Sequence, residues 1–225
     1  MRDVSFEARA GEVLGIGGLL GAGRSELLLH LAGIWGERTQ GSVLLDGKPL
    51  APGRPWETIR RGLVMVTEDR RRWGLFGEHG VGFNLSLSSL KGLLIDEDRE
   101  FAANREMAGA LRVKAPGLDA PVGGLSGGNQ QKVVIGRALM TEPSVVLLDE
   151  PTRGIDVGAK LEVYEIVNRL TDAGKAVILV SSELPELLGM SDRVLMLHEG
   201  SVGGVFGRGA GQEQLMAAAM GDSRV

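Results

Sequence analysis

The sequence contains no cysteine, which excludes disulfides, thiolate metal sites and cysteine nucleophiles and suits a reducing compartment such as the cytoplasm. Every apolar run falls well short of the roughly 18 residues that a membrane-spanning helix needs, so the chain is not expected to cross a bilayer. Met1-Arg2-Asp3-Val4 leads straight into a strand-like segment, without the long apolar region of a secretory leader. Positive charge is not in excess, with 25 Lys and Arg against 29 Asp and Glu. A net charge of -4 argues against a general nucleic-acid binder, which needs a basic surface, but leaves room for a nucleotide held in a local site. The three histidines, His30, His79 and His198, fall away from any motif end and are expected to pack or face solvent.

What is present is glycine, at 35 of 225 residues, placed at turns and motif positions with no repeat or low-complexity tract. The length and the 43% hydrophobic content suit one large domain, or a core with a smaller insert. Strands are expected at Val4 to Ala8, Val13 to Ile16, Ser42 to Leu45 and Leu63 to Thr67. Later strands are expected at Ser144 to Asp149, Ala176 to Ser181, Arg193 to His198 and Ser201 to Phe206. The continuous apolar runs at 145–148 and 176–180 suit strands buried on both faces of a parallel sheet. Helices are expected from the glycine-rich turn to about Ala32, over Glu57 to Arg61, Phe83 to Leu90, Asp96 to Val113, from Gly128 to Met140, over Ala159 to Thr171 and over Gln212 to Met220. The fold class is therefore α/β, with a core from residues 1 to about 68 and about 140 to 225. A helical subdomain over about 69 to 139 interrupts it.

Three stretches carry chemistry. Gly18-Leu19-Leu20-Gly21-Ala22-Gly23-Arg24-Ser25, followed by Glu26, fits the phosphate-binding template G-x-x-x-x-G-K-[ST] except that Arg24 replaces lysine. Its glycines let backbone N–H groups approach an anion at a helix N-terminus, and Ser25 could reach a magnesium ion; a glycine-rich turn without a ligand is the alternative. Val145-Val146-Leu147-Leu148-Asp149-Glu150 is an apolar strand ending in two carboxylates, where Asp149 could hold magnesium and Glu150 could polarise a water. Surface charge is the alternative there. Leu125-Ser126-Gly127-Gly128-Asn129-Gln130 precedes a helix and is either an ordinary cap or a second phosphate contact.

In this order the three stretches resemble the nucleotide-binding cassette of ATP-binding cassette (ABC) transporters, a P-loop NTPase with a mixed-sheet core and an inserted helical subdomain. The resemblance covers essentially the whole chain as a single domain. It implies that residues 18–25 are the Walker A loop, Val145 to Asp149 Walker B, Glu150 the catalytic glutamate, Leu125 to Gln130 the signature and Gly154-Ile155-Asp156 the D-loop. GLLGAGRSEL, VTEDRRRWGL, LSGGNQQK, LLDEPTRGIDVGAK, VSSELPELLGMSDRV and MAAAMG are similar to the second cassette of tandem ATPases serving bacterial ribose-, galactose- and xylose-type importers. Importers of nucleosides and of signalling sugars share parts of the pattern.

The resemblance implies ATP and Mg2+ as cofactors, with Ser25, Glu68 and Asp149 at the metal. The implied partners are a second cassette packed head to tail, transmembrane permease subunits and, indirectly, a periplasmic sugar-binding protein. The implied location is the cytoplasmic face of the bacterial inner membrane. Ser126, Gly127 and Gly128 are expected to complete the partner cassette's site. Three positions depart from the pattern: Arg24 for lysine, Glu68 for the Q-loop glutamine and Ser182 for the switch histidine, so slow hydrolysis or none is expected at this chain's own site. Family cassettes usually stack adenine on an aromatic residue upstream of the Phe6 segment, and Met1 to Ser5 contain no aromatic residue, which implies weaker adenine contact. The run Arg70-Arg71-Arg72-Trp73, with Leu75 and Phe76, resembles the region that meets a membrane subunit, with a solvated charge run as the alternative.

Overall fold

The computed structural model describes residues 1–90 and 94–222. The first element, β1 (Val13–Gly18), is apolar and buried along nearly its whole length, because a strand flanked on both sides and covered on both faces has no polar face to show. It feeds through a short loop into α1 (Arg24–Leu31), after which β2 (Leu44–Leu45) and β3 (Lys48–Pro49) form a two-stranded antiparallel ribbon around Asp46-Gly47. Helix α2 (Pro55–Arg60) starts on a proline, whose fixed φ suits a first helical turn. Next comes β4 (Leu63–Val66).

A π-turn at Arg70–Gly74 opens a helical stretch containing α3 (Val81–Ser86), α4 (Glu97–Ala110) and α5 (Gly127–Leu139). The remaining elements are β5 (Val145–Asp149), α6 (Val157–Asp172), β6 (Ala176–Val180), α7 (Leu184–Met190), β7 (Arg193–His198), β8 (Ser201–Gly207) and α8 (Gln212–Ala219).

Six strands form one sheet in the order β4-β5-β6-β1-β7-β8. β1 lies parallel to both β6 and β7, β5 parallel to β6, and β8 closes the edge antiparallel to β7. The sheet is therefore mixed. Consequently β1, β5 and β6 end on the same side, so the loops following Gly18, Asp149 and Val180 meet at the carboxyl edge where α/β sheets place ligands.

Contacts divide the chain into two units, one of residues 1–65, 144–150 and 167–225, the other of residues 66–143 and 151–166. The first is built on a core of Leu14, Ile16, Leu28, Leu147, Ile178 and Leu195, with Leu187, Met196 and Leu215 on the other face. The second packs Val81, Leu85, Val122 and Val133 together. Residues 151–166 thus join the second unit, outside the 69–139 range expected for the insert.

The structure corrects the strand expected at Val4 to Ala8. No strand forms there, although Val4, Phe6 and Ala8 pack on the first unit's core. Alternating polarity reports one-sided burial, and burial does not require a hydrogen-bonded ladder. The strand expected over Ser42 to Leu45 shrinks to two residues, and the sequence reading did not anticipate α7, which packs Leu184, Leu187 and Leu188 against the same cluster as α8.

Candidate functional site

The phosphate-loop stretch leaves β1 at Gly18, where a Cβ would lie 2.6 Å from the Leu197 carbonyl oxygen; only glycine lets the chain turn this close to the neighbouring strand. Leu19 and Leu20 project outward, Leu20 being 99% exposed, whereas Ala22 is buried. The Ala22 N–H donates to the Leu19 carbonyl at 3.0 Å, closing the loop on itself. Helix α1 starts at Arg24 after a left-handed Gly23 and has no side-chain cap. Its first intrahelical bond runs from Leu27 N to Gly23 O at 2.9 Å, so the N–H groups of Arg24, Ser25 and Glu26 precede the helical ladder. An uncapped helix start beside a glycine-rich turn is a ready anion site.

Two side chains from this turn reach the end of β5. The Ser25 hydroxyl donates to Asp149 Oδ1 at 3.1 Å. Asp149 is buried, and burial pushes its carboxyl up to about 6; the Ser25 hydrogen bond and Arg24 oppose the rise, while Glu150 and Glu26 add to it. The donor set suits magnesium. Ser25 and Asp149 would be the residues to hold it, since a hydroxyl and a carboxylate are the hard oxygen donors that magnesium takes. Among the described residues no group of three or more His, Cys, Asp or Glu forms a metal cage. Magnesium commonly takes its other ligands from water and phosphate.

Glu150 follows in a left-handed conformation, φ 47°, with its N–H on the Val180 carbonyl at 3.0 Å. A non-glycine residue there is strained and is held by its surroundings. One of its carboxylate oxygens is hydrogen-bonded and the other lies near a cation. Ser182 Oγ donates to Oε2 at 3.0 Å, and Arg24 Nη1 stands 3.7 Å from Oε1 while donating to the Ser181 carbonyl at 2.9 Å. Both side chains of this ion pair are nearly buried, at 13% and 11% exposure, so the attraction is screened less than on a surface. Two of the three departures in the sequence, Arg24 and Ser182, therefore converge on one carboxylate. The third does not share it: Glu68 lies in the second unit and forms an ion pair with Arg153.

The second unit carries the Leu125 to Gln130 segment. Leu125 packs on that unit's core. Ser126 is the N-cap residue of α5 but makes no cap hydrogen bond; its oxygen accepts instead from Asn129 Nδ2 at 2.9 Å, and Asn129 Oδ1 accepts the Lys114 N–H at 2.8 Å. A Cβ on Gly128 would come within 2.4 Å of the Ala159 Cβ, so the starts of α5 and α6 meet at glycine distance. Gln130 is buried and donates to the carbonyls of Val122, Gly123 and Leu125, which makes it a tie for the preceding turn. Asp156 caps α6, accepting from Ala159 N at 3.0 Å.

Several participants escaped the sequence reading. The Ser181 carbonyl, as a main-chain group, carries no sequence signal. Arg70 stood in a charged run expected to face outward; it turns onto the carbonyls of Arg153 and Gly154, while Trp73 and Phe76 of the same run are exposed. The histidines pack locally: His30 accepts from Arg38, His79 lies against Phe76 and Phe83, and a His198 ring nitrogen meets the Ala219 carbonyl.

Residues 1–153 match a family model described as ABC transporter. The chain is 47% identical over 225 residues to the xylose import ATP-binding protein XylG of Moorella thermoacetica, across 98% of this chain and 45% of that protein. The protein of the same name from Geobacillus kaustophilus is 46% identical over 226 residues, with 98% and 45% covered. The chain thus spans about half the length of the curated relatives it matches. Among solved structures, a nucleotide-free ATP-binding cassette from an ABC transporter superposes with a TM-score of 0.80 at 22% identity, over 99% of this chain and 89% of that one. The ADP conformation of another ABC transporter cassette gives 0.78 at 26% identity, over 95% and 86%.

Proposed function

The chain belongs to the ABC transporter family, and we propose that it is the ATP-binding cassette, second of a tandem pair, that energises import of a monosaccharide, with xylose the sugar favoured by its relatives' names. Nucleotide phosphates would rest on the N–H groups at the start of α1, with Arg24 supplying positive charge. Ser25 and Asp149 would hold Mg2+, which when bound neutralises phosphate charge. Head to tail with a second cassette, Ser126, Gly127 and Gly128 would complete that cassette's site. The exposed Trp73 and Phe76 beside arginines suit contact with a permease subunit at the cytoplasmic face of the inner membrane. A periplasmic sugar-binding protein would supply the solute.

One observation carries the further reading that this chain's own site hydrolyses slowly: Ser182, at the position where a histidine is expected, stands beside Glu150 and donates to its Oε2 at 3.0 Å. Serine cannot replace a histidine donor to the terminal phosphate, a loss of about a hundredfold or more. The same substitution favours a second reading, a regulatory cassette that activates a partner without hydrolysis of its own. Calorimetric titration with Mg-ATP tests the nucleotide site. Measurable binding that weakens at least tenfold in Arg24→Ala supports it, and no binding by the unaltered chain defeats it.

A further inference from the structure

The residues that follow β4 and those that follow β5 are tied together inside the second unit. Arg70 Nη1 donates to the Arg153 carbonyl at 2.9 Å and Nη2 to the Gly154 carbonyl at 3.2 Å. In return the Arg153 guanidinium pairs with the Glu68 carboxylate. Arg70 begins the π-turn, which Asp69 fixes by accepting the Arg72 N–H at 3.0 Å. The turn ends at Gly74 against Val134 of α5. A Cβ on Gly127 would lie 2.8 Å from Arg70 Nη2 and 3.0 Å from the Gly154 oxygen, so the guanidinium fills the space between the first residue of α5 and the chain leading to Asp156.

We propose that Arg70 is a positioning residue for the Ser126-Gly127-Gly128 segment, holding it against residues 153–156, and that Glu68 serves this clasp through Arg153. The planar fork matters, because two main-chain carbonyls one residue apart are reached together by the two terminal nitrogens of arginine and not by a single ammonium. The Glu68–Arg153 pair is largely exposed on its arginine side, so by itself it contributes little; its part is to orient Arg153, whose carbonyl Arg70 takes. Glu68, at a position where glutamine was expected, has its charge answered within the same unit. The consequence for function rests on the reading that residues 126–128 face a partner's nucleotide: their N–H groups can act only if the start of α5 is held in place.

Amide hydrogen exchange on the full chain tests the clasp. Arg70→Ala should raise exchange at the hydrogen-bonded amides that open α5 and α6, residues 130–132 and 159–161, at least tenfold, and Arg70→Lys nearly as much, while amides of β1 and β6 stay protected and report an intact fold. Glu68→Arg, which opposes like charges, should loosen the same amides, and adding Arg153→Glu should recover most of the protection. Exchange within threefold of the unaltered chain in Arg70→Ala, or a charge-swapped pair no better than Glu68→Arg alone, would overturn the proposal. Failure of the unaltered chain to bind Mg-ATP would count against the nucleotide reading and leave the exchange result standing.

Discussion

At the scale of single residues, Asp149 and Glu150 are adjacent in sequence but differently constrained. Asp149 is a buried carboxyl pushed up to about 6 from its usual 3.8, so its protonated form favours folding. Its contribution to stability is full below about pH 4 and is lost as pH rises through 6, at a cost of at most about 3 kcal/mol for a shift of about two units. Without magnesium, Asp149→Asn is expected to be more stable than the unaltered chain at pH 7 by about 1–3 kcal/mol, with the gap closing near pH 4, as denaturant titration across that range would show. An equal gap at both pH values would assign the effect to packing.

Glu150 has Ser182 on one carboxylate oxygen and Arg24 near the other. Arg24→Lys combined with Ser182→His should free its Oε2 and supply a phosphate donor, raising ATP turnover by about tenfold or more; an unchanged rate would place the limit elsewhere.

At the scale of elements, the sheet was legible because its inner strands are continuous apolar runs. Val145 to Leu148 and Ala176 to Val180 admit little besides doubly covered strands. The phosphate loop was legible because Gly18 and Ser25 occupy positions that a specific chemistry demands. The sequence was silent where tertiary partners decide. Lys132 looked like one more residue of the signature helix, yet it is 2% exposed, its ammonium donating to the Arg112 carbonyl and to Glu162 at 2.8 Å. No periodicity marks a cation whose partners lie 20 and 30 residues away. The helix α7 was missed although Pro185 in its first turn is a recognised start signal. Since removing one partner of a buried ionic contact leaves the others unsatisfied, Lys132→Ala should cost about 2–3 kcal/mol in thermal or denaturant unfolding. Lys132→Met, which keeps the volume, should cost less. Equal losses would mean that the ammonium contacts, not packing, hold α5 to α6.

At the scale of the whole molecule, the first unit carries the phosphate loop, the Asp149-Glu150 strand end and Ser182, and the second carries Ser126 to Gln130 with its clasp. The two sets of residues differ in kind. The first presents an uncapped helix start, the Ser25–Asp149 oxygen pair and a glutamate hydrogen-bonded to Ser182; the second presents Ser126 bonded to Asn129 and a helix start fixed at glycine contacts. That contrast suits a cassette that binds nucleotide at its own loop and contributes to turnover elsewhere. The most direct measurement is steady-state ATP hydrolysis by the purified chain and by Glu150→Gln at saturating Mg-ATP. The expected result is slow turnover, differing less than threefold between the two proteins. Fast turnover by the unaltered chain, abolished in Glu150→Gln, would contradict it.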